Sequence, residues 1–453
     1  MTTQSYEPTA DYWESFADLV LTSIENAPYR RAAMALSVSL TANGADLANL
    51  LEEVWGDEKA YATETVEALV QAPFVELTTA GWRMNASLAP RIAGRFLKED
   101  GSSFRRVHEF LRTIEKQRLE AVESADKGTD PAEIWFTKTR LAFYLAGLDA
   151  GDAAYKFGEA FETAPRREQN AARMWLSTLV LRQAPLLGDH SRAVRFFEGF
   201  RAYMSGRSDE AGRLFSEVIE GNTEDMYQAI SIHLREICVR QPADRIKGLT
   251  ESIGLSRQLE LRENEVMARN SLIVAHLANA RRVAVNNGDV AAQLDLDAAY
   301  ELAQLNYDRA KDFSDKSYHV YTLTQLASAW WQSVFRINAN QATPPEATSA
   351  LPQIVAKLET AIEIADSAGL ADSALSAINR YAMVLRDVDQ ISEALLKLES
   401  ALSRISPATD LKILRQLAKT AGSLTSHIPA DQAGMLTNLR GELDKRIRCT
   451  TGV

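Results

Sequence analysis

Residues 133–165 read EIWFTKTRLAFYLAGLDAGDAAYKFGEAFETAP, and their pattern decides the fold. Apolar side chains recur three and four residues apart on both sides of a break at Gly151-Asp152, which predicts two helices joined by a short turn. Pro165 ends the second helix, because proline brings no N–H and its ring clashes with the preceding turn. Ala153 and Ala160 are small enough to let helix backbones approach closely. Tyr144 and Phe157 are large enough to fill the space that remains between helices.

The arrangement extends outward from this stretch. From Phe104 onward only helical periodicity is found, broken at Gly128/Pro131, Gly151/Asp152, Gly188/Asp189, Gly206, Gly221/Asn222, Pro242, Asn286–Gly288, Gly369, Pro407 and Pro429. Helix hairpin after helix hairpin is the sequence form of an α-solenoid. The pattern resembles the tetratricopeptide repeat (TPR), a helix pair of about 34 residues. The resemblance makes Ala153 and Ala160 the small contacts of one unit, Tyr144 and Phe157 its aromatics and Pro165 its closing proline. A second unit has Gly199 and Ala211 as small contacts and Phe215 as aromatic. A third has Ala394 and Ala401 around Leu398, with Pro407 one place late. Spacing between units is irregular, so the array is degenerate; an unrelated helical bundle with alanine-rich contacts is the competing reading. Asn338–Pro345 (NANQATPP) is expected to form a flexible loop that splits the array.

Upstream the pattern differs. Residues 10–26 put Tyr12, Trp13, Phe16, Leu19, Val20 and Ile24 on one helical face. Helices are expected over Tyr29–Ala42, from Gly44 and Asp46 onward with Leu47, Leu50, Leu51 and Val54 as buried stripe, and over Thr63–Ala72. Phe74–Thr78 then alternates, Ala80-Gly81 turns and Trp82–Met84 resumes, a hairpin signal. A last helix carries Leu88, Ile92, Phe96 and Leu97. These parts outline a winged helix over 28–99, with a helical bundle carrying one irregular turn as the alternative. The expected fold is therefore all-α: a helical, winged-helix-like module over 1–100, a TPR-like α-solenoid over 101–340 and a C-terminal TPR-like array over 346–453.

Composition agrees. The 453 residues include 22 glycines and 13 prolines, with 46% hydrophobic residues. Both breakers fall below their usual ~7% and ~5%, which favours helix over sandwich, barrel or disorder. Two distant cysteines, Cys238 and Cys449, exclude a disulfide framework and suggest a reducing, cytoplasmic setting. The N-terminus lacks a basic segment before an apolar run, and no stretch of ~18 apolar residues suggests a membrane span.

The order of parts resembles the rear half of STAND-type signalling ATPases. The resemblance rests on residues 72–84 (APFVELTTAGWRM), the helix over 86–99 and the unit at 133–165. It implies a winged helix that acts as regulatory spacer and an array that acts as sensor or docking surface, in assemblies such as bacterial stress-response or phage-defence systems. One departure matters: no G-x-x-x-x-G-K-[ST] phosphate loop is present, and residues before 28 leave no room for the ATPase. The resemblance thus implies a chain without the motor, or one that works with a motor on another chain.

No motif points to catalysis. The histidines (His108, His190, His233, His276, His319 and His427) form no H-E-x-x-H and no zinc spacing with cysteine. Cys238, in the apolar Ile237-Cys-Val239, reads as an inert packing thiol, a pairing with His233 being the minor alternative. The expectation is a non-enzyme without metal or cofactor.

Charge is uneven. The net formal charge is −11. Residues 1–90 hold four basic and thirteen acidic residues, whereas residues 91–118 hold eight basic and four acidic. Residues 166–213 hold nine arginines and five acids. The helical stretch 44–72 has seven acids against Lys59 alone, which would repel a DNA duplex. Arginine favours bidentate pairing with carboxylate or phosphate. Arg105, Arg106, Arg192, Arg195 and Arg201 are therefore candidates for an electropositive docking groove, against the plainer reading of solvated helix faces. Trp330 and Trp331 point about 100° apart on a helix, so one is expected in the core and the other is a candidate anchor. The expected function is a non-catalytic scaffold, sensor or regulatory subunit that docks a protein or peptide; the alternative is a regulator that responds to RNA or a nucleotide through its arginine-rich faces. No membrane partner is expected.

Overall fold

The computed structural model describes residues 10–124, 130–165, 169–221, 223–238, 241–287, 289–335, 345–406 and 409–451. The chain divides into two compact units, Met1–Gly221 and Asn222–Val453.

The first unit opens with α1 (Ala10–Ser23), α2 (Ala27–Val38), α3 (Gly44–Trp55), α4 (Lys59–Leu69), β1 (Val75–Thr78), β2 (Gly81–Met84) and α5 (Ala89–Glu99). The helix starts follow local chemistry. Asn26 and Asn43 cap α2 and α3 by accepting the backbone N–H of Tyr29 and Asp46, and Gly56 ends α3 at φ 74°. The expected stripe Leu47, Leu50, Leu51 and Val54 is buried. β1 and β2 form the hairpin in the register Val75–Met84 to Thr78–Gly81.

Two expectations are corrected. The second helix stops at Val38 rather than Ala42, because Ala42 exchanges both backbone hydrogen bonds with Trp82 at 2.9 and 2.8 Å. That extended rung beside the hairpin completes the winged-helix-like outline. Gly81 is required at the crossing: its φ is 124°, and a Cβ there would lie 2.8 Å from the Ala42 carbonyl oxygen. In α1, Leu19 is 61% exposed, while Ala17, Val20 and Leu21 are buried. The face that meets α5 is thus rotated from the one the aromatic spacing suggested.

The unit continues with α6 (Gly101–Ser124), α7 (Pro131–Leu145), α8 (Ala150–Glu162), α9 (Gln169–Arg182), the single-turn α10 (Ala184–Leu187), α11 (Ser191–Met204) and α12 (Ser208–Glu220). Neighbours in sequence pack on one another, most closely α6 with α7 and α11 with α12. The turn between α7 and α8 falls at residues 146–149, earlier than Gly151-Asp152. Asp149 there caps α8 by accepting the Asp152 N–H at 3.0 Å. The repeat residues pack as their sizes require. Tyr144, Ala153, Phe157, Ala160, Ala211 and Phe215 are buried, and Pro165 lies half-buried beyond α8. Gly199 faces the Phe215 ring, where an added Cβ would come within 2.9 Å.

The second unit holds α13 (Met226–Cys238), α14 (Pro242–Gln258), α15 (Arg262–Asn287), α16 (Asp289–Ala310), α17 (Lys316–Phe335), α18 (Pro345–Ser367), α19 (Ala371–Asp387), α20 (Ile391–Ala401), α21 (Leu411–Ser423) and α22 (Ala433–Thr451). Successive helices again pack in order. Ala394, Leu398 and Ala401 are buried as the third repeat unit requires. Four helices, α15 to α18, run 20–26 residues and are longer than a 34-residue helix pair accommodates.

One turn recurs between helices. At Glu260, Gly369 and Asp389 the chain turns left-handed at φ 57°, 66° and 64°. Each time the following N–H reaches back to a carbonyl five residues earlier: Leu261 to Ser256, Leu370 to Ala365, Gln390 to Leu385. Gly206 in the first unit does the same, with Arg207 bonded to Ala202. This is the Schellman stop, which satisfies carbonyls that a helix end leaves open. Gly206 and Gly369 announce it in sequence; Glu260 and Asp389 do not. The expected breaks at Gly128, Asn222, Gly288 and Pro407, and Asn338–Pro344 of the expected loop, lie outside the described residues.

Candidate functional site

Most arginines of the first unit are engaged by a neighbouring carboxylate or backbone carbonyl, many of them at the surface. In the basic block 91–118, Arg91 pairs with Glu14, Arg95 with Asp18 and Arg118 with Asp46. Arg106 donates to the Glu53 carbonyl at 2.6 Å. Three residues of the positive block are thus paired with acidic residues of the N-terminal module. Arg105 is exposed and without a polar partner among the described residues.

The block 166–213 behaves similarly. Arg173 donates to the Phe161 carbonyl at 2.8 Å and stacks over the Phe161 ring. Arg192 donates to the Val218 carbonyl at 2.7 Å, close to the end of α12. Arg195 meets Glu198 and Glu217, Arg207 meets Glu210 and Arg213 meets Glu217. Arg182 sends one guanidinium nitrogen to the Ser37 and Ser39 carbonyls at 2.6 and 3.0 Å. Burial pushes its pKa down to about 10. Arg201 is exposed and makes no such bond among the described residues. Arg166 and Arg167 lie outside them. Of the five candidates, Arg106, Arg192 and Arg195 are engaged by these partners, while Arg105 and Arg201 are exposed. Arginine hydrogen-bonds helix-end carbonyls as readily as carboxylates, and sequence counts do not separate these uses.

Three of the histidines are held by hydrogen bonds inside the helical packing. His108 is fully buried, with Nδ1 bonded to the Tyr144 carbonyl at 2.8 Å. Its Nε2 has no hydrogen-bond partner, and burial pulls its pKa down to about 4. Gly147 lies directly against the ring, where any Cβ would overlap the imidazole. His233 bonds Asn264 and Ser271 at 2.9 and 3.0 Å, and His276 bonds Asp295 at 2.7 Å. Cys238 is half-buried and Cys449 exposed, and the two form no disulfide. Among the described residues no His, Cys, Asp and Glu cluster has metal-ligating geometry, and no helix is long and apolar enough to cross a membrane.

The tryptophan pair leads to a site that sequence reasoning missed. Trp331 is buried, stacks on Phe335 at 4.6 Å and donates its indole N–H to Asp387 at 3.0 Å. Trp330 is half-buried, between Tyr300 and Lys357. Both tryptophans are thus held by neighbours. Trp331 and Phe335 also form one wall of a cavity of about 270 Å³ among α15, α17, α18 and α19. Leu358, Met383 and Val384 add apolar wall, and three arginines reach it: Arg281, Arg380 and Arg386.

These arginines are unequally satisfied. Arg386 holds Asp387 through two nitrogens, at 2.5 and 3.0 Å, and the Ser423 hydroxyl at 3.0 Å. Among the described residues Arg281 donates only to the neutral Gln332, at 2.8 Å, and Arg380 only to the Met383 thioether, at 3.8 Å, a weak acceptor. Burial and the nearby Arg281 charge hold the Arg380 guanidinium below its usual pKa. Asp387 is the one carboxylate among the lining residues, and it already serves Arg386 and Trp331.

The fold and these sites define a class: a helix-hairpin repeat protein with an N-terminal winged-helix-like module. No family model matches the chain, and no curated protein does. Among solved structures it is similar to a STAND protein with a tetratricopeptide repeat sensor from Pyrococcus horikoshii, at 9% identity and a TM-score of 0.48, over 99% of this chain and 65% of that one. The chain therefore spans just under two thirds of that protein's length. A circular tandem repeat protein is similar at 13% identity and a TM-score of 0.27, over 97% of this chain and 98% of that one.

Proposed function

We propose that this chain is a non-catalytic interaction protein, a scaffold, sensor or regulatory subunit that docks a partner protein or peptide on its helical array. One observation carries the reading. On α15, Val274 and Val285 are 45% and 85% exposed; on α16, Leu294 and Leu305 are 78% and 60% exposed. Each pair is eleven residues apart, which is three helical turns, so both members share a face of their helix. Branched aliphatic side chains left in water on two helices that pack against each other support a surface that a partner covers, to the extent that they form one patch. A helical array offers an extended surface for such contacts.

In this reading the chain belongs to a signalling assembly of the stress-response or phage-defence kind that the part order implies. The test is affinity purification of the tagged full chain at native expression, beside the double variant Leu294→Asp/Leu305→Asp. A stoichiometric partner that is recovered with the native chain and lost with the variant is the expected result. Recovery of the chain alone under every condition overturns it, as does equal recovery of the partner with the variant. Light scattering of the purified chain separates self-association from a foreign partner.

A further inference from the structure

We infer that the cavity among α15, α17, α18 and α19 binds a small dianion with a flat or apolar body, held by Arg281 and Arg380. The inference stands apart from the exposed stripe on α15 and α16. It begins with charge. A guanidinium carries five N–H donors and stays ionised; taking one from water without a counter-charge is costly. Arg380 has only a thioether at 3.8 Å, and Arg281 only an amide oxygen at 2.8 Å. Neither has a carboxylate within ion-pair distance among the described residues. Arg380, largely withdrawn from water, therefore faces the cavity without a counter-charge, and Arg281, which water still reaches, adds a second positive charge to the same lining.

The rest of the cavity is built firmly around them. Asp387 is tied to both Arg386 and Trp331, and Trp331 is stacked on Phe335. These contacts leave the wall little freedom to collapse, so the site is preorganised. The volume of about 270 Å³ lies just below the ~300–1,000 Å³ typical of ligand pockets, and an apolar wall with a few convergent polar groups is their usual character. Arginine forks match carboxylate and phosphate oxygens bidentately. A phosphomonoester brings close to two negative charges at neutral pH, and a dicarboxylate brings two. Either neutralises the Arg281–Arg380 pair while its carbon body rests on Phe335, Leu358 and Val384.

The test is calorimetric titration of the full chain at low ionic strength. The probes are phenyl phosphate, adenosine 5′-monophosphate and phthalate, with phenol and adenosine as uncharged counterparts. Binding of at least one dianion, without binding of its uncharged counterpart, is expected. The phosphate and phthalate arms tell the two dianion sources apart. Affinity should fall about tenfold or more in both Arg281→Gln and Arg380→Gln, and should hold in Arg201→Gln. Arg281 is exposed, so Arg281→Gln remains informative if Arg380→Gln does not fold; its thermal melt should match that of the native chain. No dianion binding at millimolar concentration, or binding unchanged in the Arg281 variant, overturns the inference.

Discussion

In the first unit the half-buried Arg182 ends on two backbone carbonyls, at 2.6 and 3.0 Å. In the second the half-buried Arg380 ends on a thioether at 3.8 Å. Neither has a carboxylate partner among the described residues, and burial lowers the pKa of both. Arg182 nevertheless closes the open end of α2, so its charge belongs to the fold. Arg380 closes nothing and borders a cavity. A half-buried arginine thus becomes a site through what its donors lack, not through its burial. The same contrast runs through the units. The first fills its core with phenylalanine, where Phe161 meets Phe196 and Phe200 edge-on within 5 Å. The second relies on alanine and leucine between longer helices, and retains a cavity.

Acid should separate the units most strongly. His108 titrates near 4 in the folded chain and near 6.5 when unfolded. Below pH 6.5 the unfolded state therefore takes up the proton first. The stabilisation is whole above that pH and is lost progressively as pH falls to about 4, by roughly 3 kcal/mol. The protection factors of the α6 and α7 amides, referred to intrinsic exchange at each pH, should fall over this window, and His108→Asn should flatten that slope. Protection factors unchanged between pH 6.5 and 4 would contradict the burial of a neutral imidazole.

Exchanging the two arginines for methionine tests the comparison directly. Arg182→Met leaves the Ser37 and Ser39 carbonyls without their donor and should cost about 2–3 kcal/mol in urea unfolding. Arg380→Met removes an uncompensated charge and should be neutral or slightly stabilising without ligand. Equal losses at both positions would erase the distinction between a fold arginine and a site arginine.

Smaller effects probe the repeat contacts. Gly199→Ala forces a methyl against Phe215 and should cost about 1–2 kcal/mol, read as a lowered melting temperature. Glu260→Gly should do the opposite. It relieves a left-handed residue at φ 57° and should stabilise α14 and α15 by up to ~1 kcal/mol. A loss of stability there would mean that the Glu260 side chain contributes more than its backbone strain subtracts.

Much of the fold was legible in the residues. Helical periodicity, the stripe through Leu47 and Val54, the Ala80-Gly81 turn and the Gly199–Phe215 contact are all local patterns of spacing and size. What escaped was set by partners distant in sequence. Tyr29–Ala42 reads as one helix, yet Trp82 draws Ala42 into an extended rung. Glu260 and Asp389 turn the chain without a glycine because packed helices on either side outweigh a modest local penalty. Arg281, Arg380 and Trp331 were visible as residue types, but nothing in the sequence brings positions 281, 331 and 380 to one cavity.

A run of helix hairpins behind a winged-helix-like module follows from the residues alone, because spacing, breakers and side-chain size act within a few residues. Tertiary structure alone decided the fate of each charge. Whether an arginine caps a helix, meets a carboxylate or waits at a cavity depends on which oxygen lies within about 3 Å, and that oxygen comes from elsewhere in the chain.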